Sequence, residues 1–214
     1  MERVVSLVIG YTLGLIQTGY FYGKFHGVDL RKHGSGNSGA TNTLRVMGKT
    51  AGLIVLFGDL MKSFAACLIV RLLFSSANPE MTLLYVLYAG AGAVLGHDFP
   101  FYLKFKGGKG VASTSGMIIA LLDIRIFLIC LVVFAGTVFL TRYVSLGSIL
   151  GAITFFLSWT FITWNKMNVL ADSCRLESCI LVFLVAALAI ERHKSNIGRL
   201  LAGKENKLGA KKAS

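Results

Sequence analysis

Charge is what this chain of 214 residues has least of: 15% of it is Asp, Glu, Lys or Arg, against 55% hydrophobic residues, and its mean hydropathy is +0.69. That balance excludes a single water-soluble globule, so lipid must solvate part of the molecule. Carboxylates are scarcer than cations, 10 against 22, for a net charge of +12. The excess does not mark a nucleic-acid binder, because the Lys and Arg residues flank apolar runs and form no basic face interleaved with aromatic platforms. It points instead to anionic headgroups or anionic substrates. Metal-ligand spacing is absent from Cys67, Cys130, Cys174 and Cys179, which read as small core or lipid-facing residues, so no metal centre is expected. Hydrolase and acid–base signatures are missing too. There is no Gly-x-Ser-x-Gly elbow and no His-Glu-x-x-His pattern. A His-x4-Asp pair also fails, since Arg31, Ser38, Tyr102 and Gly198 stand at the aspartate position after His26, His33, His97 and His193. No separate soluble domain is visible. The expectation is one membrane domain over residues 1–214 with a short basic tail from about Arg199.

A spanning helix needs about 20 predominantly apolar residues. That ruler predicts spans at Val4 to Tyr22, Ala51 to Phe74, Met81 to Leu95, Val111 to Leu122, Ile126 to Leu140, Val144 to Trp164 and Leu176 to Ile190. The first is too long for the core of a cleaved signal peptide and is kept as a helix. Asp123-Ile124-Arg125 reads as a tight turn between two helices, with one broken or tilted helix as the alternative. The expected fold is an all-α integral membrane protein, a seven-helix transmembrane bundle with cytoplasmic motif loops. Basic residues resist translocation and so test that count. One side receives Lys24, Arg31, Lys32, Arg45, Lys49, Lys104, Lys106, Lys109, Arg142, Arg192, Lys194, Arg199, Lys204, Lys207, Lys211 and Lys212. The other receives only Arg3, Arg71, Arg125, Lys166 and Arg175, which places the amino terminus outside and the rich side in the cytoplasm. Inside the second span Asp59 and Lys62 share a helical face; a mutually neutralised pair is preferred to a site residue or proton relay. Gly90, Gly92, Gly96, Gly147 and Gly151 are expected to let helices approach closely.

The polar residues gather in Gly-rich segments between these runs. Gly34, Gly36 and Gly39 meet the spacing of a dinucleotide-binding turn, but the strand that should precede it is missing. What remains is a loop whose amides approach an anion, with Ser35, Asn37, Thr41 and Asn42 adding short polar groups; a plain tight loop is the competing reading. A second segment sets Lys104, Lys106 and Lys109 around Gly107-Gly108, with Phe99, Phe101 and Phe105 as apolar anchors. It suits a phosphate beside an acyl chain, or ordinary interfacial anchoring. Arg142-Tyr143-Val144-Ser145 supplies a cation and hydroxyls, and Glu191 to Asn196 with Arg199 forms a further polar cluster. His97 and His193 are candidate bases, each equally readable as a structural hydrogen-bonding residue.

Ser35-Gly36-Asn37-Ser38-Gly39-Ala40-Thr41-Asn42, then Gly96-His97-Asp98-Phe99-Pro100 with Lys104-Phe105-Lys106-Gly107-Gly108-Lys109-Gly110-Val111-Ala112, then Arg142-Tyr143-Val144-Ser145-Leu146 follow one another in order. They resemble the three signature motifs of the bacterial acyl-phosphate:glycerol-3-phosphate acyltransferase family, PlsY. The segment from His193 to Glu205 is similar to that family's C-terminal segment, and the resemblance runs to about Lys207. It implies a seven-helix enzyme of the bacterial inner membrane that needs no cofactor. The implied reaction moves a fatty acyl group from acyl phosphate to the 1-hydroxyl of glycerol 3-phosphate, giving lysophosphatidic acid and phosphate. The family's functional residues carry over onto Ser35, Gly36, Asn37, Thr41, Asn42 and Arg45, and onto His97, Lys104, Gly107, Gly108 and Lys109. Arg142, Ser145, His193, Asn196 and Glu205 complete them. Lys104, His193, Asn196, Ser145 and His97 are expected at the chemistry and the others on substrate. The chain departs from the family pattern at Gln17, where proline is common, at Ser38, where an apolar residue is usual, and at Ser113, where threonine is frequent.

Acyl phosphate is already activated, so positioning and electrostatic stabilisation of the departing phosphate suffice. On this reading the loop from Ser35 to Asn42 and Gly107-Gly108 cradle acyl phosphate. Arg45, Lys104, His193 and Asn196 hold glycerol 3-phosphate, and the acyl tail lies along the helices. No carboxylate stands obviously among the motifs, so a substrate phosphate, His97 or His193 must take the hydroxyl proton. The competing class is a small transporter or flippase of an anionic lipid or phosphorylated metabolite, for which the expected inverted repeat is not visible.

Overall fold

The computed structural model describes residues 1–209, so Lys211 and Lys212 of the basic tail lie outside the described residues. The described residues form ten α-helices: α1 (Glu2–Gly14), α2 (Thr18–Phe25), α3 (Ala40–Met47), α4 (Lys49–Phe74), α5 (Thr82–Asp98), α6 (Val111–Ala120), α7 (Ile124–Thr141), α8 (Val144–Trp164), α9 (Arg175–Arg192) and α10 (Lys194–Leu201). Five helical stretches are long and apolar enough to cross a membrane: α1 with α2, α4, α7, α8, and α9 with the turn before it. α5, with 17 residues, and α6, with 10, fall short of that length. Val132, Phe139 and Leu140 stand exposed on α7, as lipid-facing side chains do.

The short α6 ends without orphaned carbonyls because Arg71 of α4 reaches across to it. Its guanidinium donates to the carbonyls of Ala120 (2.9 Å) and Leu121 (3.4 Å), placing a cation at a helix C-terminus. Asp123 then caps α7, accepting from the amides of Arg125 and Ile126. The segment is therefore two helices joined by a tight turn, as expected, and not one broken helix.

The first span is not one helix from Val4 to Tyr22. It breaks between α1 and α2, and buried Gln17 occupies the gap. The Gln17 amide donates to the carbonyls of Gly14 (3.3 Å), Gly96 (3.2 Å) and His97 (3.0 Å). Gly96 needs such a donor because its helical partner four residues on is Pro100, which has no N–H. The break in one helix and the end of another thus satisfy each other.

α5 runs through the centre, and α1 lies against it through two pairs of glycines. A side chain at Gly10 or Gly14 would collide with the backbone of Ala89 or Ala93; one at Gly92 or Gly96 would collide with that of Leu7 or Tyr11. Both helices carry their glycines four residues apart, the small-residue stripe that lets membrane helices touch backbone to backbone. Gly147 is likewise tight against α7, but Gly151 has its nearest neighbour, Phe134, at 3.9 Å, so close approach does not require glycine there. At the end of the bundle far from the Gly-rich loops, Arg3 grips Glu177 through two hydrogen bonds (2.6 and 2.9 Å), and the Tyr88 hydroxyl donates to the same carboxylate. All four cysteines are buried free thiols.

Candidate active site

Three segments distant in sequence are joined through one carboxylate. Glu205, just past α10, accepts from Asn196 (2.8 Å) and Ser145 (3.2 Å) through Oε1 and from the Arg199 guanidinium (2.7 Å) through Oε2. Asn196 passes the network on, its Oδ1 accepting from the Lys109 ammonium. Lys109 comes from the loop before α6, Ser145 from the first turn of α8, and Asn196 and Arg199 from α10. The absence of a carboxylate expected from the motifs is therefore overturned by Glu205, whose two oxygens are committed to binding neighbours.

Cations dominate the surroundings. Burial, the positive charges of Arg199, Arg192 and Arg45, and against them the carboxylate of Glu205, push the Lys109 ammonium down to about 8. His193 lies buried at the α9–α10 junction with Nδ1 2.7 Å from the Ala189 carbonyl. A carbonyl only accepts, so Nδ1 carries the hydrogen and Nε2 the lone pair. Burial, helped by Lys109 and Arg192, pushes this imidazole down to about 4, so it is neutral at ordinary pH.

The loop from Ser35 to Asn42 is built on Asn42. Its Oδ1 accepts from the Ser35 amide (2.8 Å), and its Nδ2 donates to the carbonyls of Leu30, His33 and Asn37. Gly34 adopts φ +61°, and a side chain there would strike the Asn42 oxygen. Asn37 accepts from the Gly39 amide at 2.8 Å. Ser35, Thr41 and Arg45 stand exposed above this scaffold.

Gly107-Gly108 folds back on the end of α5. The two amides donate to the carbonyls of Asp98 and His97 at 3.1 Å, and Arg192 holds the carbonyls from the other side, at 2.7 Å for Gly108 and 3.4 Å for Gly107. The Arg192 guanidinium also lies over the Phe99 ring at 5.2 Å and 3.8 Å from buried Asp98. The His97 imidazole occupies the place a Gly108 side chain would take. Just before the glycines, Lys104 (φ 55°) and Phe105 (φ 58°) are consecutive left-handed residues without being glycine, a strain of roughly 1–2 kcal/mol each. Their turn is held by the Pro100 and Phe101 carbonyls.

Beside these loops an apolar groove of about 630 Å³ lies between α2 and α4, lined by Thr18, Leu53, Ile54, Leu56, Phe57, Gly58 and Leu60. Leu53 and Phe57 are about two-thirds exposed, so it opens sideways.

A profile described as Glycerol-3-phosphate acyltransferase matches residues 4–203. The chain belongs to the glycerol-3-phosphate acyltransferase family. It is 39% identical over 212 residues to the glycerol-3-phosphate acyltransferase of Thermoanaerobacter sp. (strain X514), covering 99% of this chain and 98% of that one. The relative from Halalkalibacterium halodurans is 41% identical over 218 residues, covering 99% and 98%. Among solved structures, the fold is similar to the crystal structure of PlsY (YgiH), an integral membrane glycerol 3-phosphate acyltransferase, in its glycerol 3-phosphate form. The TM-score is 0.81 at 35% identity, covering 98% of this chain and 96% of that one. Its lysophosphatidic acid form gives 0.80 at 34%, with the same coverage. This family member is a multi-pass integral membrane protein.

Of the residues singled out in the sequence, the structure brings Lys109, Ser145, Asn196 and Glu205 into one hydrogen-bond network, with His193 buried at the α9–α10 junction and Arg45 exposed on α3. Gly107 and Gly108 form the adjoining turn, and Ser35, Gly36, Asn37 and Thr41 the adjoining loop. Three residues stand apart from the roles expected of them. Asn42, expected on substrate, spends its oxygen and nitrogen on the loop itself. Lys104 is exposed and, among the described residues, unbonded to the Glu205 network. Arg142 is exposed at the end of α7, where its carbonyl accepts from the Leu208 amide. Arg192, noted in the sequence as part of a polar cluster, and Gln17, noted as a departure from the family pattern, are participants whose roles are not legible in the sequence; each bonds backbone carbonyls far away in sequence.

Proposed function

We propose that this acyltransferase moves a fatty acyl group from acyl phosphate to the sn-1 hydroxyl of sn-glycerol 3-phosphate, giving 1-acyl-sn-glycerol 3-phosphate and inorganic phosphate. The observation that carries the reading is the network in which Asn196, Ser145 and Arg199 donate to the Glu205 carboxylate and Lys109 donates to Asn196, with Arg192 on the adjoining Gly107-Gly108 turn and a lateral apolar groove between α2 and α4. An excess of cations in a partly buried site suits phosphorylated reactants. The groove suits the chain of an acyl donor.

In this mechanism the hydroxyl oxygen attacks the acyl carbonyl carbon and a new C–O ester bond forms. The bond between the acyl carbon and the bridging oxygen breaks, and its electron pair leaves on that oxygen with the phosphate. The hydroxyl proton passes to a phosphate oxygen of the substrates. The cations offset the charge on the departing phosphate, and the rigid turns supply the alignment. Asn196 and Ser145, locked by Glu205, orient Lys109 toward the phosphates. Lys104, exposed on its strained turn, and Arg142 sit where incoming glycerol 3-phosphate meets cations first.

α1 with α2, and α4 to α9, make seven crossings in this reading, with the loops of the site on the cytoplasmic side of a bacterial inner membrane. The test offers purified protein glycerol 3-phosphate with acyl phosphate, acyl-CoA or acyl carrier protein thioester. Lysophosphatidic acid from acyl phosphate alone is the expected result. Product from the thioesters only overturns the donor assignment, and substrate transport without product overturns the reaction.

A further inference from the structure

We infer that Asp59 and Lys62 are positioning residues that hold His97 as its neutral Nε2–H tautomer, making it a hydrogen-bond donor under the Gly107-Gly108 turn. An ammonium has three N–H donors and no acceptor. The Lys62 ammonium donates to the Ile16 carbonyl (2.6 Å) and faces His97 Nδ1 (2.8 Å), while Asp59 Oδ1 lies 3.0 Å away as its ion-pair partner without hydrogen-bond geometry. The carbonyl of Ile16 is available because the first span breaks there, leaving it outside both α1 and α2. All three side chains are buried, Asp59 to 1%, Lys62 to 6% and His97 to 3% exposure.

The proton's place among the three groups follows from intrinsic basicity and distance. An alkylammonium holds its proton roughly four orders of magnitude more firmly than an imidazolium. The Asp59 oxygen is also closer to Lys62, at 3.0 Å, than to His97 Nδ1, at 3.6 Å. Lys62 is therefore the cation and Asp59 its counter-ion. Facing a group that can only donate, Nδ1 must accept, so the ring hydrogen sits on Nε2. Nε2 is the atom lying where a side chain on Gly108 would be.

The two histidines of the site are then opposite tautomers. His193 offers a lone pair on Nε2, its Nδ1–H being held by Ala189. His97 offers a hydrogen on Nε2 and so does not accept the hydroxyl proton. That excludes one of the two candidate bases on the geometry of a pair thirty-five positions away in sequence. The tautomer stands on the buried contacts alone; its role beneath the glycine turn rests on the acyl-transfer reading above.

Nitrogen-15 NMR of the full-length protein with labelled histidine, with His97 assigned by its loss in His97→Gln, tests the state directly. The expected signature is Nε2–H in the native protein, shifted to Nδ1–H or a mixture in Lys62→Met. The same variant is expected to raise the KM for acyl phosphate roughly tenfold, the scale of one neutral hydrogen bond, with little change in the KM for glycerol 3-phosphate. An Nδ1–H or doubly protonated His97 in the native protein overturns the inference, as does an unchanged tautomer in Lys62→Met. Should Lys62→Met fail to fold, His97→Gln and His97→Asn decide, because their amide nitrogens fall near the Nε2 and Nδ1 positions respectively. Gln retaining clearly more turnover than Asn supports a donor at Nε2, and equal or reversed losses oppose it. A protein inactive with acyl phosphate but showing the Nε2–H form would defeat the proposed function and leave the tautomer standing.

Discussion

In the proposed reaction Lys109 serves two ends that conflict: it must be charged to hold phosphate, and its burial, with the positive charges of Arg199, Arg192 and Arg45, disfavours that charge. The sign is fixed by the direction of the shift. With its proton lost near pH 8 the side chain is a cation below that value and a neutral amine above it, so substrate KM should rise as pH increases through about 8. His193, pushed down to about 4, stays neutral and contributes no acid limb above that value. Initial rates measured against pH check both statements. Lys109→Met should lower kcat/KM about a hundredfold, the scale of one electrostatic group at a reacting centre, and remove the alkaline limb. At this scale the motifs revealed which residues gather but not what each one does. Asn42 is legible as a polar residue in a glycine loop. Its commitment to that loop is hidden, because its partners Leu30 and His33 lie outside the motif. Glu205 was reached only through the family resemblance, since nothing in its neighbourhood marks it as the hub of Ser145, Asn196 and Arg199.

Among the helices, the break between α1 and α2 is the feature on which most of the site's support depends. Apolar composition located the five stretches that are long and apolar enough to cross a bilayer, while the spans expected at Met81 to Leu95 and Val111 to Leu122 correspond to helices shorter than that length. The break was not legible: glutamine is a good helix former, and the residues around Gln17 continue the apolar run. Its cause is tertiary, the carbonyls left over at the ends of α1 and α5. Proline, common at this position in the family, would open the helix by lacking an N–H; Gln17 keeps it open with its side chain. Gln17→Leu preserves the volume but strands the Gly96 carbonyl. The expected cost is about 2 kcal/mol, or roughly 4–8 °C in the thermal midpoint of the detergent-solubilised protein. Thermal unfolding followed by circular dichroism would measure it, and an unchanged midpoint would show that these hydrogen bonds contribute nothing net.

For the molecule as a whole, the distribution of basic residues supports the proposed sidedness of the loops without reference to any motif. The structure adds the Arg3–Glu177–Tyr88 cluster at the end of the bundle away from the glycine turns. Single cysteines introduced at Glu2 and Lys204 should therefore behave oppositely in intact cells. A membrane-impermeant maleimide is expected to label the first and spare the second until the membrane is opened, the native thiols being buried. Labelling of both, or of Lys204→Cys alone, would reverse the proposed orientation. The groove between α2 and α4 is open to its flank, where Leu53 and Phe57 face outward. A fatty tail seated there arrives and departs within the plane of its own leaflet while the water-soluble partner comes from the aqueous side, so catalytic traffic obeys two dimensions for one reactant and three for the other. Supply of the first is governed by its mole fraction among surrounding lipids, and any inert amphiphile added to the bilayer slows the enzyme by dilution without ever touching a reacting atom.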